Sequence, residues 1–262
     1  MGRQKLGQHF LTSQKWQQRI VETLSRRPGE TWVEIGAGHG EMTRSLTGDG
    51  RRVIAVETDE SLAKRVSERV LENPSAWPGV EIVRADILGL DLGELTNGKI
   101  CVYGNLPYYI TSPILRHLFR WADRIDSIHI VVQFEVAARI VARPGRREYG
   151  YLSALCQLYT KPEIALRIPP GAFRPPPRIT SALLRMTLPG ERASLGIKDE
   201  TGFLKFVQAC FGQKRKTLRN NLRPLADDDR IRAALGDCNL RPDARAEQLS
   251  LAQFAALFES LR

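Results

Sequence analysis

A glycine-rich segment that directly follows an apolar run constrains the fold of this chain more than any other feature. Residues 33–40 read VEIGAGHG, and the pattern around them predicts a strand over Thr31–Ile35 followed by a helix over Glu41–Leu46. Glycines at such a turn let the backbone bend tightly and approach a ligand without a clash from a Cβ atom. Because tight turns of this kind occur in many folds, the segment alone leaves open whether it binds anything.

Short apolar runs alternate with amphipathic stretches over the first two thirds of the chain, which is typical of a parallel sheet with helices on both faces. The other predicted elements are strands over residues 52–57, 80–85, 99–104, 127–134, 163–168 and 181–187 and helices over residues 60–71 and 112–121. In the second of these helices we expect Ser112 as the N-cap and Pro113 at the first helical position.

The pattern changes near residue 190. Residues 188–196 contain one proline and two glycines and few large apolar side chains, which indicates a linker. Beyond it apolar residues recur at helical spacing, as at Phe203 and Phe206. We therefore predict an α/β, Rossmann-like domain over residues 1–190 and a small all-helical domain over residues 191–262.

Two carboxylates follow the next two predicted strands. Glu57 comes about 20 residues after Gly36, where a nucleotide-binding sheet places an acid that accepts hydrogen bonds from ribose hydroxyls. A carboxylate there disfavours a 2′-phosphate and hence NADP. Asp86, which Ile87 follows, ends the third strand and can accept a hydrogen bond from an adenine amino group. Together with Gly36 and Gly38, these residues predict a cofactor that carries adenosine, either NAD or S-adenosylmethionine.

The fourth strand ends in Asn105-Leu106-Pro107-Tyr108, the pattern called NPPY or NLPY in amino-methyltransferases. An exocyclic amino nitrogen is a poor nucleophile because its lone pair is delocalised into the ring. The side-chain carbonyl of Asn105 and a backbone carbonyl near Leu106 can accept its two hydrogens, which favours a tetrahedral nitrogen with a localised lone pair. Pro107 stiffens the turn, and Tyr108 offers an aromatic face to a base taken out of its stack. The pattern favours S-adenosylmethionine over NAD.

The chain is basic, with a formal net charge of +10 over 262 residues, which favours a polyanion such as nucleic acid as partner. Four cysteines and four histidines show neither a CxxC nor an HExxH arrangement, so the sequence predicts no metal site and no disulfide framework. No apolar run approaches the length of a membrane span, and the N-terminus does not resemble a secretory signal. We therefore expect a cytoplasmic protein.

Several motifs together resemble the KsgA/RsmA family of small-subunit ribosomal RNA adenine dimethyltransferases, along nearly the whole chain. The matching segments are KLGQHFL at residues 5–11, EIGAG at 34–38, NLPYYITSP at 105–113, YGYLS at 149–153, PGAFRPPP at 170–177 and FGQKRKTLRNNL at 211–222. One departure is His9, where many family members carry Asn; both side chains can donate a hydrogen bond.

The resemblance implies a class I S-adenosylmethionine-dependent methyltransferase that acts on two adjacent adenosines in a hairpin loop near the 3′ end of small-subunit (16S) rRNA. Each adenosine would receive two methyl groups at N6, which would contribute to small-subunit biogenesis. The resemblance also implies that His9 and Leu11 flank the methionine part of the cofactor and that Phe173 is a second aromatic face for the target adenine. We expect a monomer whose partner is the rRNA or the immature small subunit.

A basic segment lies in the C-terminal part. Between residues 205 and 223 the chain has six Lys or Arg and no acid, which suits a helix resting on phosphates. A solvated helix face is the alternative. The predicted RNA contacts are Lys214, Arg215, Lys216 and Arg219, and a second candidate strip comprises Arg139, Arg143, Arg146 and Arg147.

Four other functions are compatible with parts of the pattern. An Erm-type methylase acting on a large-subunit rRNA adenine shares the Asn-x-Pro-Tyr site, but Leu106, YGYLS and RKTLRNNL favour the small-subunit family. A non-catalytic nucleic-acid-binding relative would be expected to lose the glycine loop or the tetrapeptide, and both are intact. A DNA adenine methyltransferase would be expected to carry a sequence-reading domain. A NAD-dependent oxidoreductase would leave Asn105 unexplained.

Overall fold

The computed structural model describes residues 9–24, 30–47, 50–107 and 110–262. Residues 5–8 of the KLGQHFL segment and Tyr108 therefore lie outside the described residues. The strands are β1 Phe10–Leu11, β2 Thr31–Ile35, β3 Arg52–Glu57, β4 Val80–Arg84, β5 Ile100–Asn105, β6 Ile125–Gln133, β7 Lys161–Ile168, β8 Phe173–Arg174 and β9 Ser181–Thr187. The α-helices are α1 Gln14–Thr23, α2 Glu41–Leu46, α3 Glu60–Glu72, α4 Leu92–Leu95, α5 Thr111–Phe119, α6 Phe134–Ile140, α7 Tyr151–Tyr159, α8 Glu200–Cys210, α9 Leu218–Leu222, α10 Asp228–Asp237 and α11 Leu251–Ser260.

A seven-stranded sheet has the order β4-β3-β2-β5-β6-β9-β7, and β1 pairs with β8 in a separate two-stranded sheet. The strands β4, β3, β2, β5 and β6 are parallel, as predicted. The parallel arrangement predicted for the first two thirds of the chain does not extend to β9, which runs antiparallel to β6 with Gln133 beside Ser181 and Ser127 beside Thr187. Hydrophobic periodicity reports the burial of a strand and carries no information on its direction, so the sequence could not distinguish the two arrangements.

The central strands owe their composition to burial on both faces. Val33, Val102 and Ile128 have no exposed surface, and neither do Trp32 and Val131 on the opposite face. Parallel strands covered on both sides carry near-continuous Val and Ile runs for this reason. On the face that bears Trp32, α1 and α2 contribute the buried side chains Ile20, Met42 and Leu46 to one apolar cluster.

The expected N-cap of α5 is wrong by two residues. The helix begins at Thr111 after Ile110, so Ser112 is not the N-cap and Pro113 occupies the third helical position. Proline is tolerated there because the first four N–H groups of a helix have no partner within it. The start of α3 follows the usual rule, with the Asp59 carboxylate accepting hydrogen bonds from the amides of Ser61 and Leu62.

The chain divides into two compact units, which comprise residues 1–137 with 163–188 and residues 138–162 with 189–262. The change at residue 189 lies beside the predicted boundary, but residues 138–162 group with the C-terminal helices. Aromatic packing explains this grouping, because the ring of Tyr149 lies 5.9 Å from that of Phe211, which lies 5.6 Å from that of Phe254. The Gly145 amide also donates to the carbonyl of Glu247 at 2.7 Å.

Candidate active site

Four predicted residues come together where neighbouring parallel strands end. Gly36 follows β2, Glu57 ends β3, Asp86 follows β4 and Asn105 ends β5. The strands are in register, with Ile35 of β2 beside Val56 of β3 and Gly104 of β5. Carboxyl ends of adjacent parallel strands share one edge of a sheet, and ligands of such sheets bind outside that edge. The structure therefore brings the predicted cofactor residues and the predicted target-base residue to one edge.

The backbone conformation of the glycine loop would be strained for residues other than glycine. Gly36 and Gly38 have φ angles of +80° and +58°, in the left-handed region. Among the described residues, a Cβ atom on Gly36 would meet nothing within 4 Å, whereas one on Gly38 would lie 3.1 Å from the ring of Phe10. The backbone beside Gly36 is thus open to a ligand, while Gly38 is needed for close contact with the N-terminal segment.

The Glu57 carboxylate supports this loop. It is 4% exposed, and its Oε2 accepts a hydrogen bond from the Gly38 amide at 2.9 Å while its Oε1 accepts one from the Asp59 amide at 2.8 Å. Each carboxylate oxygen has a second lone pair, so both remain able to accept another hydrogen bond. The sequence identified Glu57 as a ligand acceptor but not as the residue that ties the loop to β3.

Asp86 and Ile87 differ in exposure at the same edge. The Asp86 side chain is exposed and accepts a hydrogen bond from the Leu88 amide at 3.0 Å, while Ile87 is buried. A carboxylate held at a strand end by one backbone amide can still accept a second donor.

Asn105 is held by the N-terminal segment. Its Nδ2 donates to the backbone carbonyl of His9 at 2.7 Å, so its Oδ1 is the end of the amide that accepts. The buried Leu106 donates its N–H to Val131 at 3.2 Å, and the carbonyl of Pro107 accepts from the Ile110 amide at 3.1 Å. These bonds hold the backbone on both sides of the Leu106 carbonyl.

The N-terminal segment reaches Asn105 through the small sheet. Phe10 of β1 pairs with Arg174 of β8, Leu11 pairs with Phe173, and the His9 Nδ1 donates to the carbonyl of Pro175 at 2.8 Å. The KLGQHFL and PGAFRPPP motifs, which are far apart in the sequence, are therefore neighbours here.

Phe10 is a neighbour of the glycine loop that sequence reasoning missed. Its ring lies 4.6 Å from that of His39 in the loop. The family-like motif contains Phe10, but nothing in the spacing indicated which element it would contact.

The structure differs from expectation at Phe173. The ring has no exposed surface and belongs to the apolar cluster that includes Leu11 and Ile20. A ring that stacks on a target adenine needs an open face, so the predicted role requires the Phe173 ring to leave this cluster. Phe173 pairs with Leu11, two residues after His9. Because the His9 carbonyl binds Asn105, Phe173 nevertheless lies near the sheet edge that carries Asn105.

The basic residues of the C-terminal unit have two different environments. Lys214, Arg215 and Lys216 are exposed and lie in a turn between α8 and α9, so the prediction of a helix there is wrong. The Lys214 Nζ donates to the carbonyl of Arg147, which joins this turn to the second predicted strip. Arg219 lies in α9.

Arg219 is engaged within the protein. Its guanidinium forms a two-pronged ion pair with Asp228, with 2.7 Å between Nε and Oδ1. The hydrogen bonds from Arg219 hold the pKa of Asp228 below its usual range. Arg223 and Arg232 also approach Asp228, at 3.8 Å and 3.3 Å. The charge of Arg219 is therefore partly offset, unlike those of the exposed turn.

Over the described ranges, no helix is long and apolar enough to cross a membrane. Within the same residues, no group of three or more His, Cys, Asp or Glu side chains is arranged to hold a metal ion.

The glycine loop and the Asn105-Leu106-Pro107 turn at one edge of this sheet define an S-adenosylmethionine-dependent methyltransferase. A model of the ribosomal RNA adenine dimethylase family matches residues 1–262, and the chain belongs to that family. Similar proteins include the ribosomal RNA small subunit methyltransferase A of Acidobacterium capsulatum, which is 43% identical over 260 residues, covering 98% of this chain and 90% of that protein. The protein of the same name from Acinetobacter baylyi is 38% identical over 261 residues, covering 99% and 92%.

Two solved structures share the fold over nearly the whole chain. The 23S rRNA methyltransferase ErmE is 27% identical, with a TM-score of 0.73 and coverage of 96% of this chain and 99% of that one. A dimethyladenosine transferase from Plasmodium falciparum has a TM-score of 0.76 at 22% identity, covering 95% and 96%, and at that identity it supports the fold alone.

Proposed function

We propose that this protein transfers methyl groups from S-adenosylmethionine to the N6 atoms of adenosines in small-subunit rRNA, forming N6,N6-dimethyladenosine. The observation that carries the proposal is the Asn105 amide, which is held by the His9 carbonyl at 2.7 Å beside the glycine loop with its oxygen free to accept. Membership of the ribosomal RNA adenine dimethylase family and the names of the similar small-subunit enzymes support the same activity.

The residues at the strand ends fit the cofactor. The space beside Gly36 leaves room for a ligand against the backbone, and Glu57 is buried with acceptor capacity at both oxygens. We propose that Glu57 accepts from the ribose hydroxyls, that Asp86 accepts from the adenine amino group, and that Ile87 packs against the adenine. His9 and Leu11, on the segment that holds Asn105, would flank the methionine part.

The protein's task is to make an amide-like nitrogen nucleophilic. S-adenosylmethionine supplies a methyl group on a sulfonium, ready for transfer to a nucleophile. The Asn105 Oδ1 and the Leu106 carbonyl would accept the two N6 hydrogens and so localise the nitrogen lone pair. Because both acceptors are held before the base arrives, they lose little freedom when it binds. The nitrogen releases its proton after it has become cationic, so no strong base is needed beside it.

Two aromatic residues would hold the target base. We propose that Tyr108 stacks on one face and Phe173 on the other, after Phe173 turns out of the apolar cluster. Since Phe173 has no exposed surface here, this role requires that base binding rearranges the Leu11–Phe173 pair.

The C-terminal unit supplies a surface for the rRNA backbone. We propose that Lys214, Arg215 and Lys216 contact phosphates together with the second strip, which begins at Arg139, because these side chains are exposed and the Lys214–Arg147 bond joins the two groups. Arg219 would contribute less, because Asp228 already binds it. In this division, residues 1–137 and 163–188 hold the cofactor and the base, and residues 138–162 and 189–262 hold the RNA.

We further propose that the substrate is a pair of adjacent adenosines in a hairpin loop near the 3′ end of 16S rRNA, within an immature small subunit. The protein would act in the cytoplasm as a monomer. One alternative substrate is a large-subunit adenosine. It is suggested by the similarity to the 23S rRNA methyltransferase ErmE, which is 27% identical over 96% of this chain.

The test is methyl transfer from labelled S-adenosylmethionine to small subunits that lack the modification, with large subunits in parallel. Nucleoside analysis should find dimethyladenosine in the small subunit only, in proportion to two modified nucleosides. Label in the large subunit would replace the proposal by the ErmE-like substrate. Cofactor binding without label in either subunit would favour a binding protein.

A further inference from the structure

A carboxyl group that the proposed chemistry does not use lies one layer beneath the glycine loop. Glu34 is in β2, 1% exposed, and stands beside Tyr103 of β5 in the register of the parallel pair. Side chains two apart on a strand share a face, so Tyr103 lies on the same face of β5 as Asn105, and Glu34 beside it lies two residues before Gly36. Thr43 of α2, which follows the loop, faces the same carboxyl.

Three polar atoms in this group are unsatisfied. Among the described residues, the Glu34 Oε2, the Thr43 Oγ1 and the Tyr103 hydroxyl are buried and have no hydrogen-bond partner. The Thr43 hydroxyl is close enough to favour the charged carboxylate but is outside hydrogen-bond geometry. Buried polar groups are nearly always paired, either directly or through an enclosed water. Three unpaired atoms from three neighbouring elements therefore indicate a shared hydrogen-bonding site.

The charges around Glu34 all oppose its ionisation. Burial raises the pKa of the carboxyl to about 8, the Thr43 hydroxyl lowers it somewhat, and the carboxylates of Glu57 and Glu41 raise it further. Burial, followed by the charge of Glu34, in turn raises the pKa of Tyr103. The group therefore consists of two neutral acids and one hydroxyl at pH 7, and the neutral carboxyl can both donate and accept.

We propose that Glu34 is a positioning residue that acts as a neutral carboxylic acid. It donates its one hydrogen bond to an enclosed water that also binds the Thr43 and Tyr103 hydroxyls, and so ties α2 and β5 to β2 beneath the cofactor edge. This inference rests on the proposed function only in that the loop above Glu34 binds S-adenosylmethionine.

Ionisation of Glu34 would disrupt this arrangement. An anion cannot donate, and a buried anion beside Glu57 and Glu41 must admit water or move, which displaces α2 from β2. The first residues to respond would be Gly36 and Gly38, whose loop connects β2 to α2. The competent form of the loop would therefore decline as the pH rises through the pKa of Glu34.

The experiment compares the parent protein with Glu34→Gln, which keeps the shape of the neutral acid. Calorimetric titration with S-adenosylhomocysteine should show the dissociation constant of the parent rising about tenfold between pH 7 and pH 9, because about one tenth of the carboxyl is protonated one unit above its pKa. Glu34→Gln should bind like the parent at pH 7 and change less than about threefold over the range. Equal pH profiles for the two proteins would overturn the inference.

A second readout does not depend on cofactor binding. The backbone amide resonances of Gly36 and Gly38 in the cofactor-free parent should titrate with a midpoint near pH 8, and Glu34→Gln should abolish that titration. Glu41→Gln, which removes one repelling charge and leaves Glu34 in place, should move the midpoint to lower pH. Absence of the titration in the parent, or no shift in Glu41→Gln, contradicts the inference even if Glu34→Gln does not fold. Failure of the parent to bind S-adenosylhomocysteine at any pH would instead contradict the proposed function.

Discussion

The side-chain amide of Asn105 donates a hydrogen bond to the backbone carbonyl of His9, 96 residues earlier in the chain, at 2.7 Å. An asparagine amide has one accepting and one donating end, and this bond occupies the donating end. The carbonyl oxygen is then directed by the fold before any substrate arrives. Because the acceptor is a backbone atom, the arrangement depends on the path of the N-terminal segment more than on the side chain at position 9.

Replacement of Asn105 should separate chemistry from cofactor binding. Asn105→Ala removes the directed acceptor, so we expect turnover on small subunits to fall about 10²–10³-fold, as for loss of one transition-state hydrogen bond. The dissociation constant for S-adenosylhomocysteine should stay within about threefold of the parent. Asn105→Asp, which retains an accepting oxygen but cannot donate to His9, is the matched control for positioning. A parent-like turnover in Asn105→Ala would refute the role of this side chain.

Gly38 should be more sensitive to a methyl group than a surface glycine of the same conformation. Gly38→Ala forces alanine into a φ of +58° and places its Cβ 3.1 Å from the Phe10 ring, so we expect cofactor affinity to fall about tenfold or more. Gly196 has a φ of +62° and open space around it, so Gly196→Ala isolates the backbone strain, about 1 kcal/mol, without the contact. Calorimetric binding to the two variants gives the comparison; equal affinities would mean that the Phe10 contact is unimportant.

The exposed basic turn should dominate the salt dependence of RNA binding. Replacing Lys214, Arg215 and Lys216 together by Ala should weaken rRNA binding and reduce the slope of log K against log[salt] by about 2–3, because each phosphate contact releases a counterion. Arg219→Ala should change the slope less, since Asp228 already binds that guanidinium.

The control for this prediction removes the same total charge from three exposed lysines elsewhere in the chain, Lys15, Lys64 and Lys198. If this control lowers the slope as much as the turn variant, the RNA surface is not at the turn.

The stability of the protein should fall in a defined pH window because of Glu34. Its pKa is raised from 4.5 to about 8 in the folded state, so the folded protein holds a proton that the unfolded chain loses between these values. The associated stability is complete below about pH 4.5 and is lost as the pH rises towards 8. In Glu34→Gln this loss, on the order of 5 kcal/mol, should be absent.

Urea unfolding of the parent and Glu34→Gln at several pH values between 5 and 8.5 measures this difference. Glu163→Gln is a suitable control, since Glu163 is an exposed acid paired with Arg185 at 2.6 Å and has the same change of charge. Parallel curves for the parent and Glu34→Gln would show that Glu34 is ionised over the whole range.

The sequence predicted well those strands and helices whose own pattern of apolar residues shows which side chains are buried. The bounds predicted for β2, β3, β9 and α2 agree with the structure, because in each the apolar pattern that its own burial requires ends at polar or turn-forming residues. The basic turn was mistaken for a helix because charge density reports exposure, and three consecutive cations are equally exposed in a turn. The start of α5 was misplaced because a proline fits any of the first helical positions.

The composition of the candidate site was also predictable, while its internal contacts were not. Gly36, Glu57, Asp86 and Asn105 follow successive strands, and the parallel order of those strands is enough to place them at one edge. The contacts between His9 and Asn105, Phe10 and His39, and Leu11 and Phe173 join segments that are distant in the chain. No periodicity or spacing encodes such pairs, since each depends on how the segments return to the sheet.

The sequence by itself thus determined the fold class, the cofactor edge and the chemistry of the Asn-Leu-Pro-Tyr turn, because each is carried by residue types at short range. Only the tertiary structure decided that β9 is antiparallel, that residues 138–162 join the C-terminal helices, that Arg219 is bound by Asp228 and that Glu34 is enclosed with Tyr103 and Thr43. Each of these depends on how one segment packs against another, which sets the partners of a polar group and, where the group is buried as Glu34 is, its pKa.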